Sequence, residues 1–160
     1  LGEILSRKEL IIQVQKWHAN KKIIVFTNGC FDLIHRGHVE YLNQAKSYGD
    51  LLIVGINSDE SVKQLKGENR PYINEDDRAY IVSQLLPVDY VYVFNEDNPY
   101  DLIRLVEPDI LIKGSDYSLN EIIGRDLVEK KGGCVITIPL IKGRSTTDLI
   151  KKIQQQNNRI

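Results

Sequence analysis

The sequence predicts an α/β fold, in which helices flank a doubly wound parallel sheet of five strands, and three observations carry that prediction. The chain has 160 residues, the size of one ordinary domain, and a domain of this length needs no metal or disulfide to hold its core. Its apolar residues gather in short β-branched runs bounded by Asn, Gly and Pro, too brief for helices. Those runs alternate with stretches of helical spacing, the pattern of parallel strands joined by crossover helices. The chain contains no repeat, low-complexity tract or Gly/Ser/Pro-rich linker. Residues 1–160 therefore read as a single domain, with a lead-in helix over 1–21, a core over 22–153 and a polar tail over 154–160.

Each element has its own signal. Ser6, with Glu9 three residues on, forms a capping-box pattern that opens a helix reaching about His18. Residues 22–27 follow as a buried strand closed by Asn28-Gly29. Between Gly37 and Tyr48 the residues Val39, Leu42 and Ala45 share a helical face, and Gly49 stands where a C-terminal cap belongs. Residues 51–56 are the second strand. Asn74 caps a helix carrying Ile81, Val82, Leu85 and Leu86 on one face, and residues 90–94 are the third strand. Pro99 suits the first turn of another helix, which leads to a strand over 109–112. A helix near 121–131 passes through Gly132-Gly133 into the strand 134–138, and residues 147–154 form the last helix. The whole is a Rossmann-like sheet, whose ligands lie outside the carboxyl ends of the strands where the strand order reverses.

Composition narrows the function. Lys and Arg number 21 against 22 Asp and Glu, a net charge of -1, so neither a nucleic acid nor a membrane surface is an expected partner. The longest apolar run, residues 51–56, is far too short to span a bilayer. The opening LGEILSRKEL is not a basic-then-apolar leader, and the expected location is cytoplasmic. Two cysteines, Cys30 and Cys134, are too few and too distant for a disulfide scaffold.

The chemistry gathers at strand ends. After the first strand the chain reads Thr27-Asn28-Gly29-Cys30-Phe31-Asp32-Leu33-Ile34-His35-Arg36-Gly37-His38. Two imidazoles three residues apart share a helix face, and a helix N-terminus adds unpaired N–H groups and partial positive charge. Together they make a compact site for a phosphoryl group, with Gly29 and Gly37 permitting close approach. The same pair also fits a hydrogen-bonded helix start, or, with Cys30, an incomplete zinc site. His18 reads as a solvated cation at a helix C-terminus. Asn57-Ser58-Asp59 follows the second strand, and Lys113-Gly114-Ser115-Asp116-Tyr117 the fourth. Ser145-Thr146-Thr147 opens the last helix, with hydroxyls and free amides suited to phosphates, Ser145 also serving as N-cap. Lys63, Lys66 and Arg70 fall in a Gly-containing loop, with Arg78 beginning the helix beyond it. Neither GxxxxGK[ST] nor GxGxxG occurs, which disfavours a P-loop ATPase and a dinucleotide oxidoreductase.

These residues resemble a known family, the HxGH nucleotidyltransferases, in their cytidylyltransferase-like branch. Gly29 to His38 is similar to its signature G-x-F-D-x-x-H-x-G-H, and Ser145-Thr146-Thr147 to its second signature, S-[ST]-T. The segments TNGCFDLIHRGHVEYL, INSDESVKQLKGENRP, PDILIKGSDY and GRSTTDLIKKI resemble the adenylyltransferases of ADP-heptose synthesis. That resemblance covers nearly all of residues 22–153. One departure is Arg144, in Ile141-Lys142-Gly143-Arg144, where relatives often carry acidic or neutral residues.

The resemblance implies transfer of AMP from ATP to D-glycero-β-D-manno-heptose 1-phosphate, giving ADP-heptose and pyrophosphate for lipopolysaccharide core synthesis. It implies that His35 and His38 stabilise the reacting phosphates, with Lys66 and Arg78 as clamps. Thr27, Asn28, Gly29, Cys30, Phe31 and Gly37 would line the nucleotide, Lys113 and Gly114 would lie near the adenosine, and Ser145, Thr146 and Thr147 would hold the β- and γ-phosphates. Asp32, Asn57, Asp59, Asp116 and Tyr117 would face the acceptor. Mg²⁺ is expected with ATP, held mostly by phosphate and water rather than by a protein cage, and a homodimer or higher homo-oligomer is implied. A glycerol 3-phosphate cytidylyltransferase and a non-catalytic nucleotide-binding module are the alternatives.

Overall fold

The computed structural model describes residues 1–157. The strands β1 (Glu3–Ile4), β2 (Ile24–Gly29), β3 (Leu51–Asn57), β4 (Tyr90–Phe94), β5 (Ile110–Gly114) and β6 (Cys134–Ile138) form one sheet, ordered β1-β4-β3-β2-β5-β6, with every pair parallel. The helices are α1 (Arg7–Ala19), α2 (Arg36–Lys46), α3 (Asp59–Lys66), α4 (Glu75–Ser83), α5 (Tyr100–Val106), α6 (Arg125–Lys130) and α7 (Thr146–Asn157). The expected α/β doubly wound sheet is present, with six strands in place of five. The additional one, β1, pairs Glu3 with Tyr90 and Ile4 with Val91. Two residues are too few for alternation to register in a sequence, so the expected lead-in helix is a short strand followed by α1.

Both faces of the sheet are covered, which is why β2 and β3 read as continuous apolar runs. Ile24, Phe26, Ile53 and Leu111 pack on one face with Leu10, Val14 and Trp17 of α1 and Leu102, Ile103 and Val106 of α5. Val25, Leu52, Val54 and Ile112 pack on the other with Leu42 and Ala45 of α2 and Ala79 and Val82 of α4. Neighbouring residues of β2 thus serve opposite cores, as the strand period of two requires. Acidic side chains tie down strand starts: Asp109 accepts from Ile24 N at 2.8 Å and Asp89 from Leu52 N at 2.6 Å.

Several local expectations are corrected. Lys63 and Lys66 lie on α3 and not in a loop. Ser58 caps that helix by accepting from Ser61 N, its first turn is acidic and its last turn basic, so charge placement supports a short helix whose apolar residues are Val62 and Leu65. Strands β2 and β5 extend further than expected, taking in Asn28-Gly29 and Lys113-Gly114, because each stays paired to its outer neighbour. Helix α4 ends at Ser83; its buried face carries Arg78, Ala79 and Val82, and Leu86 is 92% exposed. Gly124, at φ +86°, breaks the expected 121–131 helix into a 3-10 turn over Leu119–Glu121 and α6. Ser47 caps α2 instead of Gly49, whose lack of a side chain allows Ile23 O to lie 2.7 Å from where a Cβ would be. His18, though exposed, is tied through Nε2 to Val106 O at 3.1 Å. Residues 154–157 of the expected polar tail continue α7, and 158–160 lie outside the described residues.

Candidate functional site

The strand order runs outward from β2 through β3 and β4 on one side and from β5 to β6 on the other. Pairing between β2 and β5 stops at Phe26 and Leu111, while β2 stays paired to β3 as far as Gly29 and β5 to β6 as far as Gly114. The carboxyl ends of the two central strands therefore diverge, and a cavity of about 560 Å³ opens above them, within the size range of small-molecule sites. Asn28 and Lys113 both line it, and the Lys113 ammonium donates to Asn28 Oδ1 between the parting strands. A second, smaller cavity of about 290 Å³ lies between α5 and α6 and contains none of the residues singled out above.

The two histidines form the entry to α2. His35 is the N-cap, and its Nδ1 accepts from Gly37 N at 3.1 Å; His38, three residues on, accepts from His35 N through Nδ1 at 3.3 Å. This is a capping box built from two imidazoles where Ser and Glu are usual. Its consequence is chemical: each Nδ1 is an acceptor, so each neutral ring carries its proton on Nε2. The rings stack with centroids 3.9 Å apart, and Phe31 lies against His38. Burial pulls the His38 pKa down to about 4, helped by His35. Burial, with the charge of Arg144, also lowers that of His35. Both shifts favour the neutral rings, whose Nε2–H groups are donors. Gly37 leaves room for this stacking, since a Cβ there would stand 2.9 Å from the His35 ring and 3.1 Å from Arg144 O.

Across the cavity the turn at Arg144 leads into α7. Ser145 caps that helix by accepting from Asp148 N at 3.0 Å, leaving the amides of Thr146 and Thr147 without intrahelical partners. Thr146 donates its hydroxyl to Asp32 O at 2.8 Å, fixing the helix start to the histidine turn. A helix N-terminus capped in this way keeps free amides of the kind that suit an anion.

Most residues expected in a site line this one cavity: His35, His38, Lys66, Asn28, Gly29, Cys30, Phe31, Gly37, Lys113, Gly114, Ser145, Thr146, Thr147, Asp32, Asn57, Asp116 and Tyr117. Three do not. Thr27 is fully buried, its hydroxyl bonded to Tyr41 at 2.8 Å. Arg78 is fully buried, and its guanidinium donates to the carbonyls of Ile73, Cys30 and Asn57 and to the Asp59 carboxylate. It fastens together three segments around the site and presents no free edge to a phosphate, and Asp59 is its partner. Asp32 does reach the cavity wall, but its buried carboxylate accepts from Arg70 Nε at 2.7 Å, Tyr72 N at 2.9 Å and Ile73 N at 3.1 Å. It anchors the 70–73 loop, which leaves little of it for an acceptor hydroxyl. Asn57 likewise spends its amide on Ser61 and its carbonyl on Arg78.

Other lining residues carry weaker sequence signals. Tyr41 sits one turn beyond His38, and burial pushes its phenol pKa up. Leu140 and Ile141 come from the turn before α7, Ile122 and Ile123 from the break before α6, and Asp97-Asn98-Pro99 from the loop after β4. Phe31 and Leu33 both hold left-handed backbone, at φ +49° and +52°, a conformation that costs a non-glycine residue about 1 kcal/mol or more and gathers at functional turns. Burial raises the Cys30 pKa, so this residue stays a thiol. Among the described residues no three His, Cys, Asp or Glu side chains converge as a metal-binding group, and no helix is long and apolar enough to cross a membrane.

Comparison with known proteins bears on this arrangement. The cytidylyltransferase-like family matches residues 26–155. The chain is 52% identical over 151 residues to the bifunctional protein HldE of Wolinella succinogenes, covering 94% of this chain and 31% of that protein. It is 51% identical over 154 residues to the HldE of Aliarcobacter butzleri, covering 96% and 32%. The chain thus spans about a third of the length of these relatives. Among solved structures, a lipopolysaccharide core biosynthesis protein from Thermoplasma volcanium is similar with a TM-score of 0.63 at 30% identity, over 76% of this chain and 98% of that one. A pantoate-beta-alanine ligase from Francisella tularensis, at 17% identity and a TM-score of 0.61 over 100% of this chain and 79% of that one, shares the fold.

Proposed function

The chain belongs to the cytidylyltransferase-like family, and on that premise we propose that it transfers AMP from ATP to a sugar 1-phosphate, D-glycero-β-D-manno-heptose 1-phosphate, with release of pyrophosphate. One observation carries the reaction class: two neutral imidazoles with free Nε2–H donors stand in the same cavity as the open N-terminus of α7. Both are devices for phosphate oxygens. The choice of acceptor is supported by the four segments that resemble ADP-heptose adenylyltransferases, by HldE relatives at about half identity, and by the likeness to a lipopolysaccharide core biosynthesis protein.

The acceptor phosphate has its second pKa near ~6, so at neutral pH it is already a nucleophile and no general base is needed. Its oxygen attacks the α-phosphorus of ATP, an O–P bond forms, and the bond to the β-phosphate oxygen breaks as pyrophosphate departs. The protein has to position two anions and stabilise charge on the pentacoordinate phosphorus. The Nε2–H groups of His35 and His38 donate to those oxygens without first losing or gaining a proton. The amides of Thr146 and Thr147, with the Ser145 and Thr147 hydroxyls, receive the β- and γ-phosphates, and Lys66 and Arg144 add cations at the cavity mouth. Mg²⁺ would arrive on the triphosphate. Among the described residues the acidic side chains of the cavity form no cage for it, Asp32 being held by the 70–73 loop.

The test is pyrophosphate release with ATP or CTP, each crossed with heptose 1-phosphate and glycerol 3-phosphate. Turnover with ATP and the heptose phosphate alone is expected. Turnover with CTP and glycerol phosphate would keep the histidine chemistry and replace both substrates.

A further inference from the structure

Lys113 is a buried cation that the fold itself does not explain. It is 8% exposed at the end of β5, and among the described residues its hydrogen bond is to a neutral group, Asn28 Oδ1. No carboxylate among those residues lies within ion-pair distance. An ammonium has three N–H donors, so two remain, and a buried charge without a counter-ion is costly to keep. An apolar residue at the end of this strand would serve the core better. The side chain lines the cavity at the point where β2 and β5 part, beside the strand that runs into Gly29-Cys30-Phe31 and the histidine turn. The Tyr117 ring covers it, 5.6 Å from Nζ. Of the other cations on this cavity, Arg70 is paired to Asp32, and Lys66 and Arg144 are exposed.

We propose that Lys113 is a catalytic residue whose ammonium, held by Asn28, binds an oxygen of the phosphoryl group under transfer. The assignment rests on the nucleotidyl-transfer reading above, and it places the lysine on the reacting phosphorus and not on the adenosine. The two imidazoles supply hydrogen bonds but no net charge, whereas the transition state brings an acceptor dianion against a polyanion. The ammonium offsets that charge from the floor of the cavity, where water is sparse and its effect is largest. A phosphoryl oxygen would take up the N–H donors that Asn28 leaves over.

Several groups face Nζ: Asn28 from β2, Cys30 from the turn after it, and Asp116 and Tyr117 from the loop after β5. Burial draws the ammonium pKa down to about 8, against the opposing charge of Asp116. The lysine is therefore charged at neutral pH and loses its charge within the range of an assay. The experiment compares wild type, Lys113→Met and Lys113→Arg by kcat, by the pH dependence of kcat/KM and by thermal melting. Lys113→Met should lose about 10²-fold or more in kcat with Tm held or raised, because a buried charge has gone. Wild type should lose kcat/KM above pH about 8. Lys113→Arg should recover part of the activity, with that limb moved beyond the measurable range. Lys113→Met within a few-fold of wild type, or an alkaline limb near pH 8 that persists in it, overturns the assignment. If wild type turns over no acceptor, the functional reading fails separately, and calorimetric titration with ATP decides the inference. ATP affinity at least about tenfold weaker in Lys113→Met supports a phosphate-binding ammonium, and equal affinity overturns it.

Discussion

His35 and His38 cap α2, and the proposed reaction gives each a second job, donating to phosphate, which a choice of substitutions separates. His35→Ala removes the acceptor for Gly37 N, and His38→Ala removes the acceptor for His35 N. Each alanine should cost ~1 kcal/mol of stability as a lost cap, a fall in Tm of about 2–4 °C for a chain of this size. Asn, however, is among the best N-cap residues, and Gln in the third helical position is the usual partner in a capping box. His35→Asn and His38→Gln therefore preserve the helix start and remove the Nε2–H donor. The loss of one positioned donor to a transition-state oxygen is worth about 10²–10³ in kcat, or ~3–4 kcal/mol. Thermal melting and pyrophosphate release on the four variants provide the assay. The expected pattern is a split: all four lose activity, and only the two alanines lose stability. Near-wild-type kcat in His35→Asn and His38→Gln would reduce the pair to a helix cap.

Other perturbations follow from the same geometry. Gly37→Ala should leave Tm nearly unchanged, as the better helix propensity of Ala, ~1 kcal/mol, offsets the crowding. It should still lower kcat/KM at least about tenfold by shifting the His35 ring that its Cβ would touch. Asp32→Ala breaks a buried ion pair and strands two backbone donors of the 70–73 loop, so urea midpoints should report a loss of about 3 kcal/mol. Arg78→Met should destabilise by a similar ~3–5 kcal/mol, since the Asp59 carboxylate and three carbonyls lose their donor. At low temperature its folded fraction should keep a KM for ATP within a few-fold of wild type, which a triphosphate clamp would not. For pH, the unfolded chain binds a proton near 6.5 that folded His38 refuses until about 4. Stability from this group is thus complete above pH about 6.5 and declines as pH falls toward 4, by as much as ~3 kcal/mol. The difference between wild type and His38→Gln in urea midpoints at pH 7 and 4.5 isolates it, and a difference that does not change with pH contradicts the assignment.

Much of this was legible in the sequence because strong local signals agree with the global fold. The β-branched run around Ile24 to Phe26 is apolar on both faces because α1 and α5 cover one side and α2 and α4 the other. The histidine turn could be placed at a strand end because Asn28-Gly29 and the spacing of Val39, Leu42 and Ala45 bracket it. Elements held by long-range partners were hidden. β1 exists because Tyr90 and Val91 offer it an edge, and α3 is written in charges and a Ser58 cap with Val62 as its buried apolar anchor. Arg78 shows the limit of reading charge as site: from its spacing it is one cation in a basic stretch, and only the fold reveals that three carbonyls and Asp59 absorb it. Lys113 is the converse. A lysine after an apolar strand reads as the first residue of a loop, and its burial without an acidic partner emerges only when β2 and β5 part around it.

In the proposed reaction an acceptor phosphate attacks the α-phosphorus of ATP in the cavity between the histidine turn and α7. Phosphorus NMR of the complete reaction with Mg²⁺, ATP and heptose 1-phosphate tests it most directly, because it identifies both products at once. Inorganic pyrophosphate and a nucleoside diphosphate sugar should form in equal amounts, with both absent for His38→Gln. Release of ADP or orthophosphate in their place, or full product formation by that variant, would contradict that reaction.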